Sequence, residues 1–450
     1  MKIINILLIS LIIILISDIQ AETWSRVYGT SEDDYAISAK QTLDGGYIIL
    51  GQSGGYSNPK AWLLKIDEYG DTVWSKTFDS ICSYTSYYQA MDIEVDYDSG
   101  YIMSINLGSG VIYNLRIIKT DQLGDVIWSK TFDINILTRD YPYDLDKTSD
   151  SGYIVVGNAM YQNSSSFIIK LYQNGDSLWT TNTVDEGFFT SVCEGRDGSF
   201  IATSSDAYPY PPQILFVYDS LGNILSWHGY SNCNTAYDIE KLNDSNYLIG
   251  ASTYLFKIDE NLDTIWSRDI GALDVEPSID GGFVTTYFLN SDAYLNKYTS
   301  DGNSVWSVSF GGPGGDKFYS VSRTEDGGYI CCGHTNSWGN GGYDYYIVKT
   351  DSLGYAMGVE EEFFQQYPEY PNISIENLSS GQVKISFIQS HYGDLNFSVY
   401  DLSGRMIDQP LEGFQDEGEC SIILSDYRPG VYFYQISNGE EEWRGKFQIF

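Results

Sequence analysis

Two short phrases alternate along most of this chain, and their repetition limits what it can fold into more than any other feature. The first is built around tryptophan: "ETWSRVYG" (Trp24), "TVWSKTF" (Trp74), "VIWSKTF" (Trp128), "SLWTTNT" (Trp179), "LSWHGYS" (Trp227), "TIWSRDI" (Trp266) and "SVWSVSF" (Trp306). The second opens with aspartate: "DGGYIILG", "DSGYIMSI", "DSGYIVVG", "DGSFIATS", "DSNYLIGA", "DGGFVTTY" and "DGGYICCG", beginning at Asp44, Asp98, Asp150, Asp197, Asp244, Asp280 and Asp326. Recurrence of this kind marks a repeat architecture. Asp followed by Gly or Ser suits a tight hairpin, where a backbone angle turns positive. The aromatic after it, Tyr47 in the first copy, opens a nearly continuous apolar run, the pattern of a strand buried on both faces. One unit then reads as four short strands: "YAISAKQT", "YIILGQS", "AWLLKID" and "DTVWSKTF".

Four-strand units of ~40–50 residues are the blades of a β-propeller. The expected fold is all-β: a seven-bladed β-propeller over residues 22–358, followed by a small immunoglobulin-like β-sandwich. The last unit ends at "KTDSLGYAMG" with no tryptophan strand, so "ETWSRVYG" is expected to return to it and close the ring. The tryptophan phrase resembles the docking repeat of propellers that bind pyrroloquinoline quinone. That resemblance implies that Trp24, Trp74, Trp128, Trp179, Trp227, Trp266 and Trp306 each dock one blade onto its neighbour.

The ends of the chain read as addresses. Lys2, an apolar run from Ile3 to Ile16 and a polar stretch ending at Ala21 have the layout of a secretory signal peptide, residues 1–21, so the mature chain is expected to begin at Glu22. No later apolar run is long enough to span a bilayer. Residues 359–371 read as a linker, and residues 372–450 as alternating strands with Ser-Gly and Asn-Gly turns. "FSVYDLSGRMID", "RPGVYFYQISNG" and "WRGKFQIF" in that tail resemble the type A C-terminal sorting domain of the type IX secretion system. The resemblance implies passage across the outer membrane of a Gram-negative-type bacterium, with the type IX machinery as partner. It assigns the signal to Tyr400, Asp401, Gly404, Arg405, Pro429, Gly430, Tyr432 and Lys446.

Charge and chemistry narrow the function. The chain has 61 acidic and 25 basic residues, a formal charge of −36, which opposes binding to nucleic acid or anionic membrane. The three histidines (His228, His334, His391) are not at metal-ligand spacing, and the first two are expected at the surface. The Asp-x-x-Gly-Asp turns read as hairpin caps, and no metal, cofactor or catalytic residue is expected. Neighbouring strand residues point to opposite faces, so Cys331 and Cys332 are not expected to bond to each other. The expectation is a monomeric, exported binding protein for a glycan or protein. Its variable, aromatic loops would present Tyr87, Tyr88, Tyr143, Tyr208, Tyr210 and Trp338. The alternative is a secreted polysaccharide hydrolase or lyase with carboxylates on the tunnel face.

Overall fold

The computed structural model describes residues 23–55, 59–80, 92–109, 112–134, 139–160, 164–184, 187–205, 214–230, 235–242, 245–339, 342–356, 374–378, 382–389, 393–400, 405–415, 418–425, 427–428, 430–437 and 442–449. The signal peptide and linker expected from the sequence lie outside these residues. The chain divides into two compact units, Met1–Glu361 and Glu362–Phe450. The architecture is all-β, in antiparallel sheets of three to eight strands.

In the large unit, strands come in groups of four, each strand pairing with the next in sequence. The first group is Tyr35–Gln41, Tyr47–Ser53, Lys60–Ile66 and Thr72–Ser80. The second is Asp92–Val95, Tyr101–Ser109, Ile112–Thr120 and Val126–Phe132. The third, Arg139–Lys147, Tyr153–Met160, Ser164–Leu171 and Ser177–Val184, is joined to the second by one parallel bridge between Arg139 and Tyr113, making a single eight-stranded sheet. The fourth, fifth and sixth groups begin at Phe188, Ala236 and Asp274. The seventh has three consecutive strands, Asp316–Arg323, Tyr329–Thr335 and Asp344–Thr350. Its fourth is the N-terminal Trp24–Tyr28, antiparallel to the last of these with Trp24 opposite Lys349. The first strand of each group lies against the first strand of the next, and that of the seventh lies against that of the first.

Burial follows from this order. The second strand Tyr47–Ser53 is buried at every position, because sheets cover both faces. Each core is shared between neighbours: Ile48, Leu50 and Leu63 of the first group pack with Ile93, Tyr101 and Met103 of the second. Cys331 and Cys332 are free thiols in different cores, one packed with Val284 and Leu295, the other with Trp24 and Ile49.

The two repeated phrases meet in space. Trp24 packs edge-on against Tyr47 with ring centroids 5.7 Å apart, and Trp74 lies 6.1 Å from Tyr101. Trp179 and Phe200, Trp266 and Phe283, and Trp306 and Tyr329 repeat the contact at 5.9, 6.0 and 6.3 Å. Each tryptophan also covers the hairpin glycine of the next group. At Gly124 (φ 76°), an added Cβ would lie 2.7 Å from the Trp74 ring, so only glycine lets the ring down onto the turn.

The fourth junction departs from the docking expected of Trp227. The hairpin that should receive it carries Leu262 (φ 68°) instead of glycine, and Trp227 is 55 % exposed. Tyr230 takes over the contact: its hydroxyl donates to the Leu262 carbonyl at 2.8 Å and its ring lies 5.3 Å from Phe256.

The small unit has a three-stranded sheet (Ser374–Leu378, Gln382–Gln389, Gly418–Leu424) and a four-stranded one (Met406–Gln415, Gly393–Tyr400, Gly430–Ser437, Glu442–Ile449). One core draws Val383, Ile385 and Ile422 from the first and Phe397, Tyr434 and Phe447 from the second.

Candidate functional site

The first strands enclose a cavity of about 390 Å³, and their register explains what lines it. Five of them carry a bulge, which inserts Ile37, Tyr143, Thr190, Tyr237 or Tyr319 between residues that pair normally. All five inserted residues line the cavity. Tyr143, expected in a ligand-binding loop, is therefore on the cavity wall within a strand.

Beyond the bulges, alternate residues form two tiers. The upper tier is Ser38, Asp92, Asp144, Ser191, Asp238, Asp274 and Ser320, at equivalent register against the second strands. These residues stitch neighbouring groups together. Asp92 accepts the Leu145 N–H at 3.2 Å, Asp144 that of Val192 at 2.7 Å, Asp238 that of Val275 at 2.9 Å and Asp274 that of Val321 at 2.6 Å. Ser191 Oγ is 2.9 Å from both Asp144 Oδ2 and Asp238 Oδ1. Burial and the nearby Asp92 charge push the Asp144 carboxyl well up.

The lower tier is Lys40, Glu94, Asp146, Cys193, Glu240, Glu276 and Ser322. Lys40 pairs with Glu94 at 2.7 Å. Burial, reinforced by Glu94, raises Asp146 to about 7. Burial also raises Glu276 to about 7, against the opposing pull of Lys40 and Arg323. Glu240 is pushed well up by burial and by Asp238. Burial keeps the Cys193 thiol protonated. A second cavity of about 640 Å³ shares Lys40, Glu94 and Glu276 with the first and adds Lys147, Ser322 and Arg323.

At the opposite end, His334 sits among Tyr343, Tyr35 and Tyr319 with centroids 4.7, 5.2 and 5.3 Å away. It is half-buried rather than a surface residue, and burial with the nearby Lys317 lowers it to about 3. Lys317 lies 4.6 Å from the Tyr319 ring centroid and 4.9 Å from that of Phe288, and burial lowers it to about 8.

Of the other aromatic residues expected to bind ligand, Trp338 packs 5.7 Å from Tyr346 within its own sheet's core. Tyr87, Tyr88, Tyr208 and Tyr210 lie outside the described residues. Among the described residues no group of three or more His, Cys, Asp or Glu side chains is placed to hold a metal ion. The sequence reading passed over the acidic tiers, although "MDIEVD", "YDLDK", "YDIEK" and "LDVEP" repeat an acid-x-acid spacing in one strand of the unit.

In the small unit, Tyr400 donates to Gln435 at 3.1 Å and Tyr432 to the Arg428 carbonyl at 2.8 Å, while Lys446 lies opposite Phe433. Gly430 begins a strand and Arg405 precedes one; Asp401, Gly404 and Pro429 lie outside the described residues.

Residues 370–449 match the secretion system C-terminal sorting domain, so the protein is a client of the type IX machinery, bound for the surface or surroundings of a Gram-negative-type cell. Among the described residues no helix is long and apolar enough to cross a membrane. No curated protein matches the chain. Among solved structures it is similar to the extracellular domain of a hybrid two-component system from B. thetaiotaomicron, at 10 % identity and TM-score 0.45, covering 92 % of this chain and 55 % of that one. It is similar to a streptogramin B lyase (12 % identity, TM-score 0.49, 74 % of this chain and 100 % of that one). Virginiamycin B lyase from Staphylococcus aureus gives 10 % identity and TM-score 0.49 over 73 % of this chain and 100 % of that one. At such scores the likeness is loose.

Proposed function

We propose that the large unit is a closed seven-bladed propeller, sealed by Trp24–Tyr28, and that it acts as an exported polysaccharide hydrolase or lyase at the cavity its first strands enclose. One observation carries the catalytic reading: Asp146 and Glu276, from different strand groups, stand on the wall of one cavity, where burial raises each to about 7. A carboxyl poised near neutrality is half-protonated there, and can give or take a proton as the reaction requires. Glycosidic cleavage needs one acid and one base across the bond, and elimination needs a base and an acid at the leaving oxygen. The bulged Tyr143, Tyr237 and Tyr319 line the same cavity beyond the upper tier, and aromatic rings suit the face of a sugar.

The test is turnover by the mature chain on a polysaccharide panel, reading new reducing ends for hydrolysis and unsaturated products for elimination. Asp146→Asn and Glu276→Gln should each lower kcat by roughly 10²–10⁴-fold. Undiminished turnover in both variants overturns the assignment. Tight glycan binding without any product would favour the binding reading, which the same tyrosines support.

A further inference from the structure

The two ends of the first cavity differ in chemistry. Its eight carboxyl groups all belong to the two tiers. The bulged end is lined instead by Ile37, Tyr143, Thr190, Tyr237 and Tyr319, together with Lys317. Lys317 stands two residues before the bulged Tyr319. The residues two places before the other four bulges, Tyr35, Tyr141, Phe188 and Thr235, carry no charge. Lys317 is thus a solitary cation among these equivalent positions.

It also lacks what enclosed lysines of this unit have. Lys65, Lys119, Lys170, Lys297 and Lys349 each hold an aspartate within 3.0 Å. Among the described residues Lys317 has neither a carboxylate partner nor a hydrogen-bond acceptor, and its Nζ lies instead 4.6 Å from the Tyr319 ring centroid and 4.9 Å from that of Phe288. His334, opposite it in the sheet, is lowered to about 3 and brings no negative charge. Burial alone lowers Lys317 to about 8, so no acid of the wall is close enough to oppose it. In a chain of 61 acidic and 25 basic residues, an enclosed lysine without an acid points to an anion that arrives from outside. Phe288 is 46 % exposed, so the ammonium group stands where the cavity meets solvent.

We propose that Lys317 receives an anionic substituent of a sugar, so that the glycan taken by this protein is an acidic one. The proposal rests on the cavity being the glycan site and names its substrate class. A uronate carboxylate and a sulfate ester share the required chemistry. The sugar ring would lie along the bulged tyrosines with its charge on the ammonium group, in a partly desolvated place where the attraction is screened less than in water. The tiers do not forbid this. Burial pushes Asp144, Glu240 and Asp274 well up and raises Asp146 and Glu276 to about 7, so all five hold protons at mildly acidic pH. Ser322, at the level of the lower tier, is five residues along the strand from Lys317, roughly 15 Å of extended chain. The sugar held by Lys317 is therefore not the one whose bond lies between Asp146 and Glu276, and Lys317 binds rather than reacts.

The experiment is calorimetric titration of the mature chain at mildly acidic pH. The probes are tetramers of galacturonate and of mannuronate, the methyl esters of both, and a sulfated galactan tetramer. The best of the anionic tetramers should bind at least about tenfold more tightly than the uncharged esters, since a close charge pair supplies a contact that an ester cannot make. A uronate or the sulfated tetramer taking that place identifies the anion. Lys317→Met should erase the preference, and Lys317→Arg should keep most of it. Reductive methylation of the unaltered chain covers the case of a variant that fails to fold: the preferred tetramer should slow labelling of Lys317 severalfold, and an ester should not. Esters that bind as tightly as every anionic tetramer, a preference that survives in Lys317→Met, or labelling of Lys317 that no tetramer slows overturns the proposal. Anion-selective binding without cleavage would defeat only the catalytic reading. Cleavage of a neutral polysaccharide with KM unchanged in Lys317→Met would defeat only the anionic subsite.

Discussion

The indole Nε1 of Trp24 donates to the backbone carbonyl of Glu68 at 2.8 Å, tying a strand from the seventh sheet to a hairpin of the first. Trp24 is 4 % exposed although it lies at the beginning of the described chain. Replacing it with alanine should remove both the ring packing on Tyr47 and this hydrogen bond, and cost about 3–5 kcal/mol. Chemical denaturation of the mature chain measures this directly. A loss below about 0.5 kcal/mol, the scale of ordinary surface changes, would show that the N-terminal strand does not hold the ring shut.

Trp227 should behave differently, although its phrase looks like the others. It is 55 % exposed, and Leu262 occupies the place of the receiving glycine. Trp227→Ala is expected to change stability by no more than about 0.5 kcal/mol. Tyr230→Phe should cost about 1 kcal/mol through the bond to the Leu262 carbonyl. If Trp227→Ala proves as damaging as Trp24→Ala, Tyr230 has not taken its place.

This contrast shows where sequence reading reaches its limit. Trp24 was legible as an outer strand because a repeat lacking its final member is visible in one dimension. The failure at Trp227 lies in its partner, Leu262, in the next unit, and a list of tryptophans does not include partners. The cavity was harder still. Tyr143 stands out as an aromatic beside Pro142, but a one-residue bulge turns it onto the wall, and no side-chain pattern announces a bulge. Asp92 and Glu94 share one strand, whereas the contacts between first strands gather their counterparts from separate groups.

A second regularity, between the aspartate turns and third-strand lysines, predicts unequal mutational costs. Lys65 pairs with Asp44 at 3.0 Å, Lys170 with Asp150 at 2.8 Å, Lys297 with Asp280 at 2.7 Å and Lys349 with Asp326 at 2.8 Å, all with the lysine nearly enclosed. Lys119 contacts Asp98 and also Asp96 at 2.6 Å, and the Asp96 side chain is only 1 % exposed. Lys119→Met would leave that carboxylate buried without its cation, held only by the Tyr153 hydroxyl at 2.8 Å, costing about 3–5 kcal/mol. Lys65→Met leaves Asp44, 65 % exposed, free to meet water. Its cost should be clearly smaller, and equal midpoint shifts for the two variants would refute the argument.

Export supplies a cellular test. Deleting residues 372–450 removes almost all of the matched sorting region, along with the whole described core of the small unit. The large unit's cores contain no residue from that region, so the truncated protein should fold and collect in the periplasm. Fractionation that finds it at the cell surface would mean that the tail does not direct export.

The cavity carboxyls should leave their mark on the pH dependence of stability. Asp146 and Glu276 are raised to about 7 in the folded protein from ordinary values of 3.8 and 4.5. A carboxyl raised by folding holds its proton more tightly in the native state than in the unfolded one. Its contribution is therefore fully present below the unfolded value and is lost as pH rises through the folded one. Asp150 works in the opposite sense: Lys170 and the Thr148 hydroxyl help to lower it to about 2, so its contribution appears above the unfolded value and disappears only in strong acid. Between about pH 4 and 7 the Asp146 and Glu276 carboxyls lose stability, while His334, lowered to about 3, gains it as the unfolded imidazole gives up its proton. Across that interval the double variant Asp146→Asn/Glu276→Gln, which cannot ionise at either position, should gain melting temperature relative to the native sequence as pH rises. A double variant that keeps the full slope would place the responsible protons elsewhere.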